Sequence, residues 1–188
     1  MPPKVKVTKK EIIQTAFELL RNDGEASVNA RNIASKLNCS TQPLFSNFES
    51  MEELQRAVFS AAYELYLSFL KKESEREEVP KYKAFGMAYI RFAKEEKELF
   101  KLLFMCDREG GDLTPTADFE ASVEMIKKNC KITRKKAELM HLEIWAFVHG
   151  IATMHATSFL TLEWELISNM LTDIYQGVLA RHVSKEKQ

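Results

Sequence analysis

The chain has 188 residues, of which 45% are hydrophobic and 29% are charged, a composition typical of a globular protein with a sizeable core. Its 27 basic and 27 acidic residues balance, so the overall charge indicates neither nucleic-acid nor membrane binding. Three widely spaced cysteines exclude a disulfide framework and a thiolate zinc site. The start of the chain resembles no signal peptide and no stretch is long enough to span a membrane, so we expect a cytoplasmic protein.

The charges are nevertheless unevenly distributed along the chain. Residues 1–50 carry seven Lys or Arg against five Asp or Glu, whereas the remaining residues carry 20 against 22. Four of the basic residues fall within the first ten positions: Lys4, Lys6, Lys9 and Lys10. This pattern predicts a basic N-terminal arm, which for Lys9 and Lys10 suggests contact with phosphates. For Lys4 and Lys6, a solvated tail is an equally good interpretation.

The first two helices are predicted from their ends. Thr8 followed by Glu11 is a capping-box pattern that opens a helix, and Gly24 is free to take the left-handed backbone that ends it. Asn29 is predicted to cap a second, shorter helix whose inward face includes Ile33 and Ala34. These helices have few apolar positions, so we expect them to share one small core with a third.

A tight turn and a third short helix follow. Asn38 is predicted to take the left-handed conformation of the turn, because Asn tolerates it better than most residues. Ser40 or Thr41 would cap the third helix, and Pro43 falls in its first turn, where a missing N–H leaves no intrahelical bond unmade. Two short helices joined in this way are typical of a helix-turn-helix, which places its second helix in the DNA major groove.

The third helix separates apolar from polar positions. Leu44, Phe45 and Phe48 are predicted to anchor it inward, which leaves short polar or amide side chains facing outward: Thr41, Gln42, Ser46 and Asn47. Gln42 is the best candidate for reading a base, because its amide can pair with N6 and N7 of adenine. Arg31, near the start of the second helix, is placed to meet the DNA backbone. The alternative is a solvated polar face on a small helical subdomain.

The rest of the chain predicts longer helices and no strands. The expected helices cover residues 51–73, 81–94, 98–106, 114–129, 133–154 and 162–182, with a loop at 107–112. The predicted fold class is all-α, with about nine helices: a three-helix helix-turn-helix domain at residues 1–50, including the basic arm, and a larger helical bundle at 51–188.

Residues 8–54 resemble the DNA-binding domain of the TetR family of transcriptional regulators. The resemblance is carried by the capped first helix from Thr8 to Gly24 and by four later motifs: Ile33-Ala34, Asn38-Cys39-Ser40, Leu44-Phe45-Ser46-Asn47-Phe48 and Met51-Glu52-Glu53-Leu54. Three positions depart from the family pattern. Asn38 replaces a turn glycine, Phe45 replaces a tyrosine, and Met51 replaces a lysine.

The resemblance implies a homodimeric repressor that binds double-stranded operator DNA and is released by a small apolar or aromatic effector. The last two helices would form the dimer interface and the middle helices would enclose the effector. The residues expected to contact DNA are Lys9, Lys10, Arg31, Ser40, Thr41, Gln42, Phe45, Ser46 and Asn47. The alternative function is a ligand- or partner-binding helical protein in which the helix-turn-helix is only structural.

Candidate effector contacts come from bulky side chains in the second part of the chain. The predicted pocket residues are Phe85, Tyr89, Phe100, Phe104, Trp145 and His149, and each of them could instead be an ordinary core residue. Trp145, His149 and Gly150 also resemble a segment of one subgroup of the family. The favoured interpretation of His149 is a buried histidine satisfied by a backbone or side-chain partner.

The last two helices are apolar around most of their circumference, which predicts burial on two sides and therefore a partner subunit. The four histidines form no i, i+4 pair, and no nucleophile motif is present. We therefore expect no metal, no cofactor and no enzymatic activity.

Overall fold

A computed structural model describes residues 7–76, 79–106 and 117–184. Within these ranges the chain forms nine α-helices, one short 3-10 helix (Glu25–Ser27) and no strands. The helices are α1 (Lys9–Asp23), α2 (Ala30–Lys36), α3 (Gln42–Asn47), α4 (Met51–Ser74), α5 (Lys81–Glu95), α6 (Lys97–Phe104), α7 (Ala117–Cys130), α8 (Arg134–Ala156) and α9 (Trp164–Ser184). The all-α fold class is confirmed. The predicted loop at 107–112 and the predicted helix start at 114 lie outside the described residues.

The starts of α1 and α2 form as their sequences predict, whereas the predicted side-chain cap of α3 by Ser40 or Thr41 does not form. At α1, Thr8 Oγ1 accepts a hydrogen bond from Glu11 N at 3.3 Å, and Glu11 Oε2 accepts one from Thr8 N at 2.8 Å. At α2, Asn29 Oδ1 accepts from Asn32 N at 3.0 Å. These bonds satisfy N–H groups that have no partner inside the helix.

The two turns that border α2 also agree with the prediction. Gly24 has a φ of 81° and a ψ of 175°, a conformation that is nearly restricted to glycine. Asn38 has a φ of 50°, which is the left-handed conformation expected of the turn between α2 and α3. The chain therefore changes direction twice within a short segment, and this brings α1, α2 and α3 onto one core.

The helices group into two units. The first comprises Met1–Leu67 with Glu96–Cys106, and the second comprises Ser68–Glu95 with Asp107–Gln188. The domain boundary predicted at residue 50 falls at the start of α4, whereas most of α4 and the whole of α6 belong with the first unit.

In the first unit, α1 packs against α2, α3 and α6. The core side chains are at most 5% exposed and include Ile12, Ala16, Leu20, Ile33, Leu44, Leu54, Leu99, Phe100 and Leu103. Burying this apolar surface is what stabilises helices as short as α2 and α3, which would be marginal alone.

In the second unit, α8 packs against α5, α7 and α9. The fully buried side chains there include Ala88, Ile90, Phe92, Val123, Ile126, Met140 and Ile167. Gly86 on α5 faces Leu171 and Val148, and a Cβ at that position would lie 3.5 Å from both side chains, an ordinary van der Waals distance. In the described part of the chain, no helix is long and apolar enough to cross a membrane.

Candidate nucleic-acid interface

The third helix, α3, turns one face into the core and the other to solvent. Leu44 is 1% exposed and Phe48 is 3% exposed, which confirms their predicted inward placement. Phe45 is 55% exposed, so its predicted inward placement is wrong. Leu44 and Phe48 are one helical turn apart and share a face, whereas Phe45 is rotated by about 100° from Leu44 and so points outward.

The polar side chains around α3 are mostly accessible. Ser40, Gln42 and Ser46 are exposed and Thr41 is half-buried. Ser46 Oγ donates a hydrogen bond to the backbone carbonyl of Gln42 at 3.0 Å, so the Ser46 hydroxyl has a partner within α3, while the exposed Gln42 side chain is accessible to a ligand. Thr41 occupies the cap position, but its side chain makes no capping hydrogen bond. A contact between these residues and DNA remains a prediction.

Asn47 departs from its predicted outward placement. Its Nδ2 donates to the carbonyl of Pro43 at 2.8 Å and to that of Val7 at 3.4 Å. The side chain is half-buried and joins the end of α3 to the residue that precedes the first capping box. The amide is thus engaged within the protein, because a carbonyl distant in sequence lies within its reach.

The predicted basic contacts divide into two kinds. Lys9 Nζ lies 2.7 Å from Glu53 Oε1 and 4.5 Å from the centre of the Phe48 ring. Lys10 and Arg31 are exposed, and neither forms an ion pair with another residue of the described ranges. Lys10 and Arg31 are therefore available for phosphates, whereas Lys9 already has an acidic partner.

An ion pair that sequence reasoning missed links α1 to the start of α6. Arg21 Nε donates to Glu96 Oε2 at 2.6 Å, and its Nη2 donates to the other carboxylate oxygen. The Glu96 residue is 5% exposed, and its hydrogen bond raises the pKa of the Arg21 guanidinium. No local pattern could reveal this pair, because its members are 75 residues apart.

Three of the predicted effector-pocket residues form one stack in the second unit. The Tyr89 hydroxyl and His149 Nδ1 share a hydrogen bond of 2.9 Å, which confirms that His149 has a side-chain partner. The Trp145 ring stacks on His149 with centroids 4.9 Å apart and planes inclined by 19°. Burial lowers the pKa of His149, which favours the neutral imidazole. Tyr89 is 4% exposed, whereas Trp145 is 39% exposed.

The six predicted pocket residues do not all belong to one unit. Phe85 lies on α5 and is half-buried in the second unit. Phe100 and Phe104 belong to the first unit, where their ring centroids are 5.3 Å apart and Phe100 is fully buried. A role for any of the six in binding an effector remains a prediction.

A second polar cluster in the second unit was also missed. The Tyr82 hydroxyl and His141 Nδ1 share a hydrogen bond of 3.0 Å, and the Tyr82 ring centroid is 5.7 Å from that of Tyr175. The Tyr175 hydroxyl lies 3.3 Å from Cys130 Sγ. Burial raises the pKa of both phenols, so both stay protonated at neutral pH. Among the described residues, no three His, Cys, Asp or Glu side chains are grouped to hold a metal.

Comparisons with known proteins define the fold. No protein-family model matches the chain, and no curated protein matches its sequence. Among solved structures, the chain is similar to a TetR-like transcriptional regulator from Rhodococcus sp. RHA1, with a TM-score of 0.68 and 15% sequence identity over 96% of this chain and 98% of that one. The chain therefore has the fold of a TetR-like regulator, and the resemblance seen in residues 8–54 is confirmed at the level of the fold.

Proposed function

We propose that this protein is a homodimeric, DNA-binding transcriptional repressor that a small apolar or aromatic molecule releases from its operator. The observation that carries the proposal is the division of α3 into two faces. Leu44 and Phe48 are buried, while Gln42, Phe45 and Ser46 are presented to solvent on a helix six residues long. A helix fixed to its core by one face and exposed along the other is what major-groove docking requires.

The exposed face carries side chains suited to DNA. Gln42 offers an amide that can pair with adenine, and the Phe45 ring can contact the methyl group of thymine. Lys10 and Arg31 supply positive charge without an acidic partner in the described part of the chain. Base contacts from α3 and phosphate contacts from the two cations together give both sequence discrimination and affinity.

The dimer is supported by exposed apolar side chains on α8 and α9. Leu139 is 48% exposed, Leu142 52%, Trp145 39% and Leu166 48%. Leu139, Leu142 and Trp145 follow one another at intervals of three residues on α8, and a row of exposed large apolar groups is typical of a protein–protein interface. A two-fold dimer places two recognition helices on two DNA half-sites, and this matches the symmetry that helix-turn-helix regulators use. Sedimentation of the protein at micromolar concentration should give twice the mass of the chain.

DNA binding is tested by fluorescence anisotropy with duplexes taken from the region upstream of the gene, against scrambled duplexes of equal composition. We expect Gln42→Ala to reduce discrimination by about 10- to 100-fold, since a bidentate amide contact contributes about 1–3 kcal/mol. Gln14→Ala is the matched control, because Gln14 is an exposed glutamine on α1 whose side-chain amide donates a hydrogen bond to Glu18. Binding to none of the duplexes would favour the alternative in which the helix-turn-helix is only structural, and equal affinity for all of them would contradict recognition of a specific operator.

The effector is tested separately from the DNA. A collection of small apolar and aromatic compounds is screened for a shift in Trp fluorescence and then for release of the bound duplex. Trp145 is the exposed member of this group, whereas Tyr89, on which His149 also depends for a hydrogen bond, is buried. We therefore expect binding compounds to perturb the stack of Trp145 on His149. Compounds that bind without releasing the duplex would contradict effector control and leave the DNA-binding proposal standing.

A further inference from the structure

Three helix ends meet at one point in the first unit. Lys9, at the start of α1, donates from Nζ to Glu53 Oε1 at 2.7 Å, and Glu53 belongs to the first turn of α4. The same ammonium lies 4.5 Å from the ring centroid of Phe48, the residue that ends α3. A single side chain thus contacts both the end of α3 and the start of the helix that follows it.

Glu53 also bonds the link between α3 and α4, and we call the contacts among Lys9, Phe48 and Glu53 the junction. Its second carboxylate oxygen accepts a hydrogen bond from Glu49 N at 2.7 Å, in the link between α3 and α4. Its own backbone N donates to Ser50 Oγ at 3.3 Å. The hydrogen bond from Lys9 and the one from Glu49 N lower the pKa of Glu53, so the carboxylate is charged at neutral pH. One carboxylate therefore holds the α3–α4 link and the start of α1 at the same time.

Asn47 makes a second connection between the end of α3 and the start of α1. Its amide donates to the carbonyls of Pro43 and Val7, so the end of α3 is also joined to the residue just before α1. Because α3 has only six residues, its direction depends on contacts at its ends more than on a long packed face. Displacing this end would tilt the exposed face that carries Gln42 and Phe45.

We propose that Lys9 and Glu53 are positioning residues, which set the direction of α3 for docking on DNA, and that Lys9 is not a phosphate contact. This inference rests on the proposed DNA-binding function. The side chains are 50% and 31% exposed, and ion pairs of that exposure add little to global stability. Loss of the pair therefore appears as a misplaced recognition helix in a folded protein.

Lys10 provides the contrast within the same turn of α1. It carries the same charge and is exposed, and no residue of the described ranges forms an ion pair with it. Neutralising a lysine that meets a phosphate lowers the slope of log affinity against log salt by about 1. Neutralising a lysine that only positions a helix lowers affinity by a similar factor at every salt concentration.

The decisive variant is the double substitution Lys9→Met with Glu53→Gln, which removes the ion pair without changing the net charge. We expect the full-length variant to remain folded and to bind its best duplex about 5- to 10-fold more weakly at every salt concentration, with the wild-type salt slope. The Lys9→Arg variant keeps a cation opposite Glu53 and should recover most of that loss. Lys10→Met should lower the salt slope by about 1.

Two outcomes would overturn the inference alone. One is a double variant that binds like the wild type, and the other is a Lys9→Met single variant whose salt slope falls by as much as that of Lys10→Met. Amide chemical shifts of the free protein provide a second measurement, since the double variant should move the signals of Asn47 and Phe48, and unmoved signals would also contradict it. A wild-type protein that binds no DNA would instead overturn the proposed function and this inference with it.

Discussion

The two units of the molecule differ in the length of their helices and in some of the polar contacts between residues that are distant in sequence. In the first, carboxylates meet cations at the ends of helices, as Glu53 does with Lys9 and Glu96 with Arg21. In the second, ring hydroxyls meet imidazoles within the helix bundle, as Tyr89 does with His149. The second unit also contains ion pairs, but its helices α5, α8 and α9 are 15 to 23 residues long and pack along extended faces.

Helix length explains the difference. The helices α2 and α3 have seven and six residues, too few to hold their direction by packing alone. Their positions must be defined by caps and by side chains that pin their ends. The long helices of the second unit bury apolar side chains along their contact faces, Tyr89 and Phe92 among them, so their positions are defined by packing. The comparison predicts that charge substitutions should affect the first unit and cavity-forming substitutions the second.

The largest expected effect is a cavity in the second unit. Phe92 is fully buried and packs edge-on against Phe69 with ring centroids 5.3 Å apart. We expect Phe92→Ala to reduce the free energy of unfolding by about 3–5 kcal/mol, through lost transfer free energy and an unfilled space. Urea unfolding followed by Trp fluorescence measures it, because both tryptophans of the chain belong to this unit.

Phe45→Ala is the matched control for that substitution. It removes the same side chain from a position that is 55% exposed, so the free energy of unfolding should change by less than about 0.5 kcal/mol. A Phe92→Ala variant as stable as the Phe45→Ala variant would contradict the idea that close packing determines the positions of the helices in the second unit.

An intermediate effect is expected from the charge pair of the first unit. Arg21→Met leaves the Glu96 carboxylate, on a residue that is only 5% exposed, without its partner. Because the Arg21 side chain is half exposed, we discount the loss for a fully buried pair and expect about 1–2 kcal/mol, measured by circular dichroism during urea unfolding.

The double variant Arg21→Met with Glu96→Met tests whether the lost stability comes from the unpaired Glu96 carboxylate. It removes both charges, so most of the lost stability should return. If the single and double variants lose the same amount, the loss comes from the missing contacts of Arg21 and not from an unpaired carboxylate. A single variant as stable as the wild type would mean that the pair does not stabilise the first unit, and the comparison between the two units would then fail.

Local signals were sufficient to predict the helices and the turns. A cap or a left-handed turn is decided by residues within four positions of each other, as at Thr8 with Glu11 and at Asn38. The orientation of Asn47 was not predictable in this way, because it depends on the carbonyl of Val7, 40 residues away. The same limit applies to α6, whose contacts in the first unit, such as the pairing of Glu96 with Arg21, join residues far apart in sequence.

The candidate site was predicted in part for the same reason. The sequence predicts which residues belong to α3, and helical periodicity predicts that Gln42 and Ser46 are exposed. Phe45 was misplaced because an apolar side chain was assumed to point inward on a helix too short to bury all three of its large apolar residues. The pairing of Lys9 was missed because a lysine in a basic segment gives no sign of its acidic partner.

The smallest expected effect is a pH dependence in the second unit. Burial holds the pKa of His149 below its ordinary value in the folded protein, so the unfolded chain binds more protons in the range just below about pH 6.5. The free energy of unfolding should therefore fall as the pH drops from about 7.5 to 5.5. His149 is partly accessible, so we expect its share to be well below about 1 kcal/mol.

The comparison that isolates this share is between the wild type and His149→Gln. Gln does not titrate, and its side chain retains an acceptor for the Tyr89 hydroxyl. Circular dichroism is the suitable probe, because the substitution removes the ring on which Trp145 stacks and so changes the Trp signal itself. The variant should lose less stability than the wild type on acidification. Parallel losses would mean that other titratable groups cause the pH dependence and that the contact of His149 with the Tyr89 hydroxyl does not contribute to it.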